Sequence, residues 1–539
     1  DRPVVLAADV PTELPEQLDD VPVVLTDGLR VRERSFARIH DASSAALVEG
    51  DVRRTGNPVR DYLLDEGDRW STTARLVGAA SLSASSSASD ADSLGSIRRG
   101  SSPWAALDGA EESAWRSGPG RAGTAWWRLD LETPVDPSTV RLVGGPDAAD
   151  DQEVQVRTGA GTSDPVEVGP GESRTVPLEG GPTSYVEVRS LEADRALSLA
   201  EVRIPGVQVR RPLVLPLLPE AWGAPDAVVL RADKDHRNGC VELGDVEQER
   251  NEVRCVQRRV VEPEEADGLD RVVRLAAPAD FSEVALRVLP RAGDALSRLV
   301  LQGRAVGVQA SSTAVPDPRG SALAALDGNP GTTWLADPDD PSPTLRVSWL
   351  GVERVRFLRL RTDADAAAAT PTRVRVSWGA QSLEVDLVDG RARLPGVRTD
   401  TLDVEVLETE DVTDLGFDGV PHPVGAGIGE LRLGGVPYEP LRLSFDRRRY
   451  ACGTGPSLRV GATTWRTRVE ASPAQLAAGR STEVVPCGPG AGPTQRRLSL
   501  PQGETTVRMS DTAAFAVESV VLGSLPEPAP GALLDAGLD

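Results

Sequence analysis

An internal duplication governs how this chain can fold. The stretch AALDGAEESAW at 105–115 returns as AALDGNPGTTW at 324–334, with the same spacing from aspartate to tryptophan. The flanks repeat as well. Upstream, GAASLSASSS at 78–87 corresponds to VGVQASSTAV at 306–315; downstream, LAEVRIPGV at 199–207 corresponds to IGELRLGGV at 428–436. A second kind of unit follows each copy: LRADKDHRNGC at 230–240 resembles LSFDRRRYAC at 443–452, and RVVRLAAPADFSEVALRV at 271–288 resembles RRLSLPQGETTVRM at 496–509. Repetition on this scale implies folding units present twice, the first of them roughly 130 residues long and so able to bury its own core. The expected order is an N-terminal segment at 1–74, unit A at 75–207, unit B at 208–304, unit A′ at 305–437 and unit B′ at 438–539.

Strand patterns dominate within these units. TRVRVSWG places Val374, Val376 and Trp378 on one face, DTLDVEVLE does the same for Leu402, Val404 and Val406, and DQEVQVR for Val154 and Val156. A period of two with polar residues between is the mark of antiparallel sheet with one wet face. Gly, Pro and Asp clusters punctuate these runs, and amphipathic helices are scarce, which predicts tandem β-sandwiches. The N-terminus differs. RPVVLAAD, PTELPEQL and VPVVLTDG read as strand, short helix and strand, a small α/β segment. The fold class is therefore mainly β, behind a short N-terminal α/β piece.

The charge balance narrows the partners. With 82 acidic and 59 basic residues the formal charge is −23, the wrong sign for binding phosphate backbones, so no nucleic-acid partner is expected. Lys234 is the single lysine, a bias that reflects a GC-rich genome or salt adaptation. The longest apolar run, PLVLPLLP at 212–219, falls short of the roughly 20 residues that cross a bilayer. A chain that starts at Asp1 without a signal peptide is expected to be a processed or excised piece. The cysteines fall as two local pairs without the tight spacing of zinc or redox sites. Disulfides Cys240–Cys255 and Cys452–Cys487, each inside one B-type unit, are expected; buried free thiols are the alternative.

The A units resemble the discoidin domain, also called the coagulation factor type C domain, and its galactose-binding-like relatives among carbohydrate-binding modules. The ASS entry strand, the ALDG…T/S-x-W turn and the closing EVRI or ELRL strand carry the resemblance. It implies a jelly-roll sandwich whose turn often holds a structural calcium ion. The implied ligands are Asp327, Asn329, Thr332 and Glu430 in A′, and Asp108, Ser113 and Glu201 in A, where Ala110 replaces a polar residue. Carboxylate, hydroxyl and carbonyl oxygens around a tight turn are the hard donors Ca²⁺ prefers. The same residues also serve as plain turn formers, aspartate capping backbone N–H groups and glycine taking positive φ. Trp115 and Trp334 read as core anchors rather than sugar platforms.

A second resemblance rests on VVLTDGLRVRERSFARIHDASSAALVEGDVRRTGNPVRDYL at 23–63. This stretch is similar to a segment of large actinobacterial membrane arabinofuranosyltransferases, those that add α-(1→3) arabinose branches to cell-wall arabinan. The resemblance implies an extracytoplasmic, carbohydrate-binding part whose partners are arabinan and a membrane-embedded catalytic domain of the same protein. Its arginine run RVRERSFAR either meets lipid phosphates or acidic glycans, or pairs along a strand face with Asp27, Glu33 and Asp41.

No catalytic residue is nominated. His40, His236 and His422 are not metal-spaced, and no G-x-S-x-G elbow, phosphate loop or dinucleotide fingerprint is present. Two further readings remain open: a structural spacer or assembly platform without ligand binding, and a secreted glycan-active enzyme using a carboxylate pair.

Overall fold

The structure, a computed structural model, describes residues 22–35, 42–49, 51, 67–91, 93, 97–118, 123–193, 195–232, 236–245, 250–260, 263–363, 365–410, 412–414, 422–436, 441–488 and 497–524. The strand and helix expected before residue 22 lie outside them, as does Asp41. Strands dominate, and the described α-helices are short, Asp294–Val300 and Pro473–Ala477. No helix among the described residues is long and apolar enough to cross a membrane.

Unit A is a two-layer antiparallel sandwich. One sheet runs Val166–Glu167, Glu153–Thr158, Thr183–Ala193, Thr124–Val135 and Ser81–Ala84; the other runs Ser173–Pro177, Thr139–Gly144, Ser198–Arg203 and Trp115–Arg116. Alternation drives this arrangement. Along Thr124–Val135 the residues Ala125, Trp127, Leu129 and Leu131 turn inward while their neighbours face outward. They meet Leu142, Val156 and Trp115 in one apolar core. Unit A′ repeats the plan with longer strands: Thr344–Arg361 pairs first with the strand Arg391–Thr409 and then, after a register shift, also with Glu430–Gly434. In A the same path is divided between Thr124–Val135 and Thr139–Gly144.

The B-type units depart from expectation. Their strands do not close into two separate sandwiches but interleave in one 12-stranded sheet. Ala227–Arg231 and Val284–Pro290 flank Phe515–Gly523, and Gly268–Leu275 pairs over its full length with Gly503–Ser510. The reason is hydrogen bonding: a strand at a buried position needs partners on both edges, and these strands find them mainly in the other copy. The N-terminal segment completes the sheet rather than standing apart. Val24–Thr26 adds in parallel to Ala227–Arg231 at one end, and Thr73–Ala74 pairs with Leu213–Val214 at the other. The core beneath this sheet continues into A′, so Leu25, Phe281 and Phe515 belong to one apolar cluster with Trp334 and Val404.

Cys452 and Cys487 form a disulfide with a Cα–Cα distance of 5.8 Å. The strands His236–Asp245 and Arg250–Val260 set the Cys240 backbone directly opposite Cys255; their side chains lie outside the described residues.

Candidate functional site

The repeated motif folds the same way twice. A 3₁₀ turn, Pro103–Ala106 in A and Ala322–Ala325 in A′, delivers the chain to Asp108 or Asp327. The next residue, Gly109 or Gly328, has φ of 84° or 70°, a conformation that costs a residue with a Cβ. In A′ the Asp327 carboxylate accepts the Asn329 N–H at 2.8 Å and the Thr332 hydroxyl at 2.9 Å. Asn329 Oδ1 accepts the Gly331 N–H at 3.1 Å, and Glu430 accepts the N–H of Gly328. In A the Asp108 carboxylate accepts the Ala110 N–H at 2.9 Å and the Ser113 hydroxyl at 2.6 Å, while Glu201 accepts the Gly109 N–H at 2.6 Å. The structure thus gathers all seven nominated residues into two equivalent clusters, each tying the first turn to the last strand of its sandwich.

Electrostatically each cluster is a carboxylate pair held partly out of water. Burial pushes Asp108 up to about 7, opposed by the Ser113 and Ala110 hydrogen bonds and reinforced by Glu201. Burial likewise raises Asp327 to about 6, with Glu430 adding to it. Desolvation disfavours the charged form, and a like charge nearby does the same. The donor set is one of hard oxygens whose repulsion a cation would relieve, so it fits calcium chemically. The same oxygens also satisfy the turn by themselves, and among the described residues no cluster of three or more His, Cys, Asp or Glu side chains is placed to hold a metal ion.

The motif tryptophans are core anchors. Trp115 and Trp334 are fully buried, and their indole N–H groups donate to the carbonyls of Ser86 at 3.2 Å and Ser312 at 3.0 Å. The buried ring fills the sandwich, and the hydrogen bond fixes the entry strand.

One concavity was not visible in the sequence. It is a cleft of about 930 Å³ bounded by A, the central sheet and A′. Arg291, from the central sheet, bridges it by pairing with Glu112 of A at 3.2 Å and Asp511 at 3.8 Å. Arg98 and Arg116 meet Asp147 at 3.5 and 2.6 Å on its A side. Prolines 146, 290, 316 and 318 contribute apolar wall. Carboxylates outnumber guanidinium groups along this lining, which disfavours anions and offers hydrogen bonds to neutral polyhydroxylated ligands.

Comparison with known proteins agrees with these features. Residues 304–443 match the family described as "Arabinofuranosyltransferase D, third carbohydrate binding module". The alpha-(1->3)-arabinofuranosyltransferase of Mycobacterium tuberculosis is 28% identical over 536 residues, covering 93% of this chain and 37% of that protein. The protein of the same name from Mycolicibacterium smegmatis is also 28% identical, covering 94% and 37%. The cryo-EM structure of arabinofuranosyltransferase AftD from mycobacteria superposes with a TM-score of 0.75 at 26% identity, over 94% of this chain and 40% of that one. The chain is homologous to part of AftD. The resemblance carried by residues 23–63 is thereby borne out, and the match of 304–443 to an AftD carbohydrate-binding module falls on A′. The chain spans 37% of the length of the curated AftD relatives it matches.

Proposed function

We propose that this chain is the extracytoplasmic, noncatalytic, glycan-holding part of an arabinofuranosyltransferase that acts on cell-wall arabinan. Its work is to keep the acceptor polysaccharide near a membrane-embedded catalytic domain of the same protein, raising its effective concentration there. The observation that carries this reading is the match of residues 304–443 to an AftD carbohydrate-binding module. The cleft between A, the central sheet and A′ supports it, because paired charges between proline walls suit a neutral polyol. Binding of arabinan oligosaccharides to the full chain, measured by calorimetry and on a glycan array, tests it. Saturable binding that Arg291→Ala weakens is the expected result. A blank array overturns the reading and favours a structural spacer, for which the full burial of Trp115 and Trp334 is the specific support.

Calcium belongs to the same proposal. Asp327, Asn329, Thr332 and Glu430 would hold it in A′, and Asp108, Ser113 and Glu201 in A. A bound cation would pin the first turn of each sandwich to its last strand.

A further inference from the structure

A second concavity, of about 450 Å³, opens on the outer face of A′ beside Gly328 and Pro330. Its floor is the pairing of Thr344–Arg361 with Glu430–Gly434, which sets Arg359 directly opposite Arg432 and Arg361 opposite Glu430. Like charges directly opposite one another on a sheet repel. Three guanidinium groups line the concavity, those of Arg359, Arg361 and Arg432, against the carboxylates of Asp363 and Glu430. Among the described residues the ion pair formed here is Arg432 with Glu430, at 3.8 Å. Arg359 and Arg361 form none within 4 Å, although the Arg361 charge still attracts the Glu430 carboxylate, and the Nε of Arg359 is buried without a hydrogen-bond partner. A buried donor left unmade costs free energy, and the like-charged pair beside it adds to that cost.

Unit A supplies an internal control. There the register sets Arg141 opposite Arg203 in the same way, but both are satisfied. Arg203 pairs with Glu111 at 2.8 Å and Glu201 at 3.3 Å, and Arg141 Nε donates to the Ser173 hydroxyl at 2.6 Å. Counting along the duplicated turn, Pro330 of A′ stands where A has Glu111, and Arg361 stands where A has the buried Val143. The two copies therefore share a scaffold and differ in charge: A neutralises its arginines internally, whereas A′ removes an acid, adds a cation and leaves a concavity between them. This occurs in a chain whose formal charge is −23.

The geometry points to an oxyanion site on A′, in which Arg359, Arg361 and Arg432 receive the phosphate or carboxylate group of an acidic saccharide. Planar guanidinium groups present paired N–H donors that match either oxyanion. The anion site stands on the arginines alone; only the choice of a saccharide rests on the glycan-binding reading above.

The test uses the full chain in EDTA at constant ionic strength, titrated by calorimetry with glucose 6-phosphate, glucuronate, inorganic phosphate and glucose. Expected is saturable binding of glucose 6-phosphate, of glucuronate or of both, weakened at least tenfold by Arg361→Gln and unchanged by Arg141→Gln in A. Glucose 6-phosphate alone would identify a phosphorylated ligand, and glucuronate alone a sugar acid. Pro330→Glu removes no arginine and restores the acid that A uses, so it should also weaken binding tenfold while the thermal melt stays at the parent value. Inorganic phosphate bound as tightly as glucose 6-phosphate overturns the saccharide assignment. No saturable binding of any anion, or binding that survives both Arg361→Gln and Pro330→Glu, overturns the site itself. Arabinan binding measured in parallel reports separately on the proposed function.

Discussion

Arg271 Nε lies 2.5 Å from Asp27 Oδ2, and neither side chain exposes any surface. The pair joins the N-terminal segment, at one end of the shared sheet, to the strand Gly268–Leu275 near the other end. Asp27 also accepts the Arg231 N–H at 3.0 Å, while Arg271 reaches Glu265 and donates to the Arg231 carbonyl at 2.8 Å. Every hydrogen-bonding direction of a buried guanidinium is thus met, the condition under which burying charge is tolerated. Removing one partner strands the other, so Asp27→Asn or Arg271→Met should each cost about 3–5 kcal/mol of unfolding free energy. Urea denaturation measures it, and the double variant should lose much less than the sum of the two. Additive losses would mean that the residues are not coupled.

Glu264 gives a pH signature to the same region. Burial alone would raise its carboxyl, but the guanidinium groups of Arg32, Arg211 and Arg30 outweigh that and hold it down to about 2. A carboxyl with a lower value in the folded state contributes its stabilisation fully above its unfolded value, near 4.5, and loses it as pH falls toward 2. The contribution at neutral pH is on the order of 3 kcal/mol. Denaturation curves at pH 7, 4 and 3 should therefore show a decline that is flatter in Glu264→Gln. An identical decline in both proteins would place the acid sensitivity elsewhere.

These arginines show where the sequence was legible and where it was not. RVRERSFAR read either as a patch for lipid phosphates or acidic glycans, or as a strand-face run paired with Asp27, Glu33 and Asp41. The structure keeps Arg30 within 3.8 Å of Asp27, but it also gives Arg30 to Glu265 and Arg32 to Glu264, more than two hundred residues away, with side chains only 7% and 12% exposed. Local alternation found the buried faces of Val154, Val156, Val374 and Val404 because a period of two is a local property. It could not find the merging of the B-type units, since Gly268–Leu275 and Gly503–Ser510 meet through backbone hydrogen bonds that side-chain patterns do not encode. The turn clusters were legible for the opposite reason: most of their donors lie within five residues of each aspartate. The A′ arginine face became legible only once the register had put Arg359 beside Arg432.

The Cys452–Cys487 bridge closes a separation of 35 residues between a loop and a strand of the shared sheet. A crosslink of that span limits the unfolded chain and should contribute about 2–4 kcal/mol. Reduction, or Cys452→Ser with Cys487→Ser, should lower the melting temperature without altering the β-sheet signal in circular dichroism. For Cys240 and Cys255, opposite one another in register, nonreducing peptide mapping should recover a second linked peptide. A bridge between the two pairs would contradict both assignments.

Calcium should act more strongly on A′ than on A. In A′ the carboxylates of Asp327 and Glu430 stand with the Thr332 hydroxyl at a turn that also carries Asn329, whose amide oxygen accepts the Gly331 N–H; in A the place of Asn329 is taken by Ala110, which brings no side-chain oxygen. Fewer donors mean weaker binding of a cation that takes six to eight oxygens. Burial raises both aspartates, Asp108 to about 7 and Asp327 to about 6, so a metal competes with a proton in each cluster. An ion that binds only the folded state stabilises it by mass action. Adding calcium to the full chain at pH 7.5 should therefore raise its melting temperature, and Asp327→Asn should remove most of that gain while Asp108→Asn removes little. Calorimetric titration of the same proteins should show the tighter site lost in Asp327→Asn. Equal losses from the two substitutions would mean equivalent sites, and a melting temperature indifferent to calcium would leave both clusters as turns held by their own hydrogen bonds.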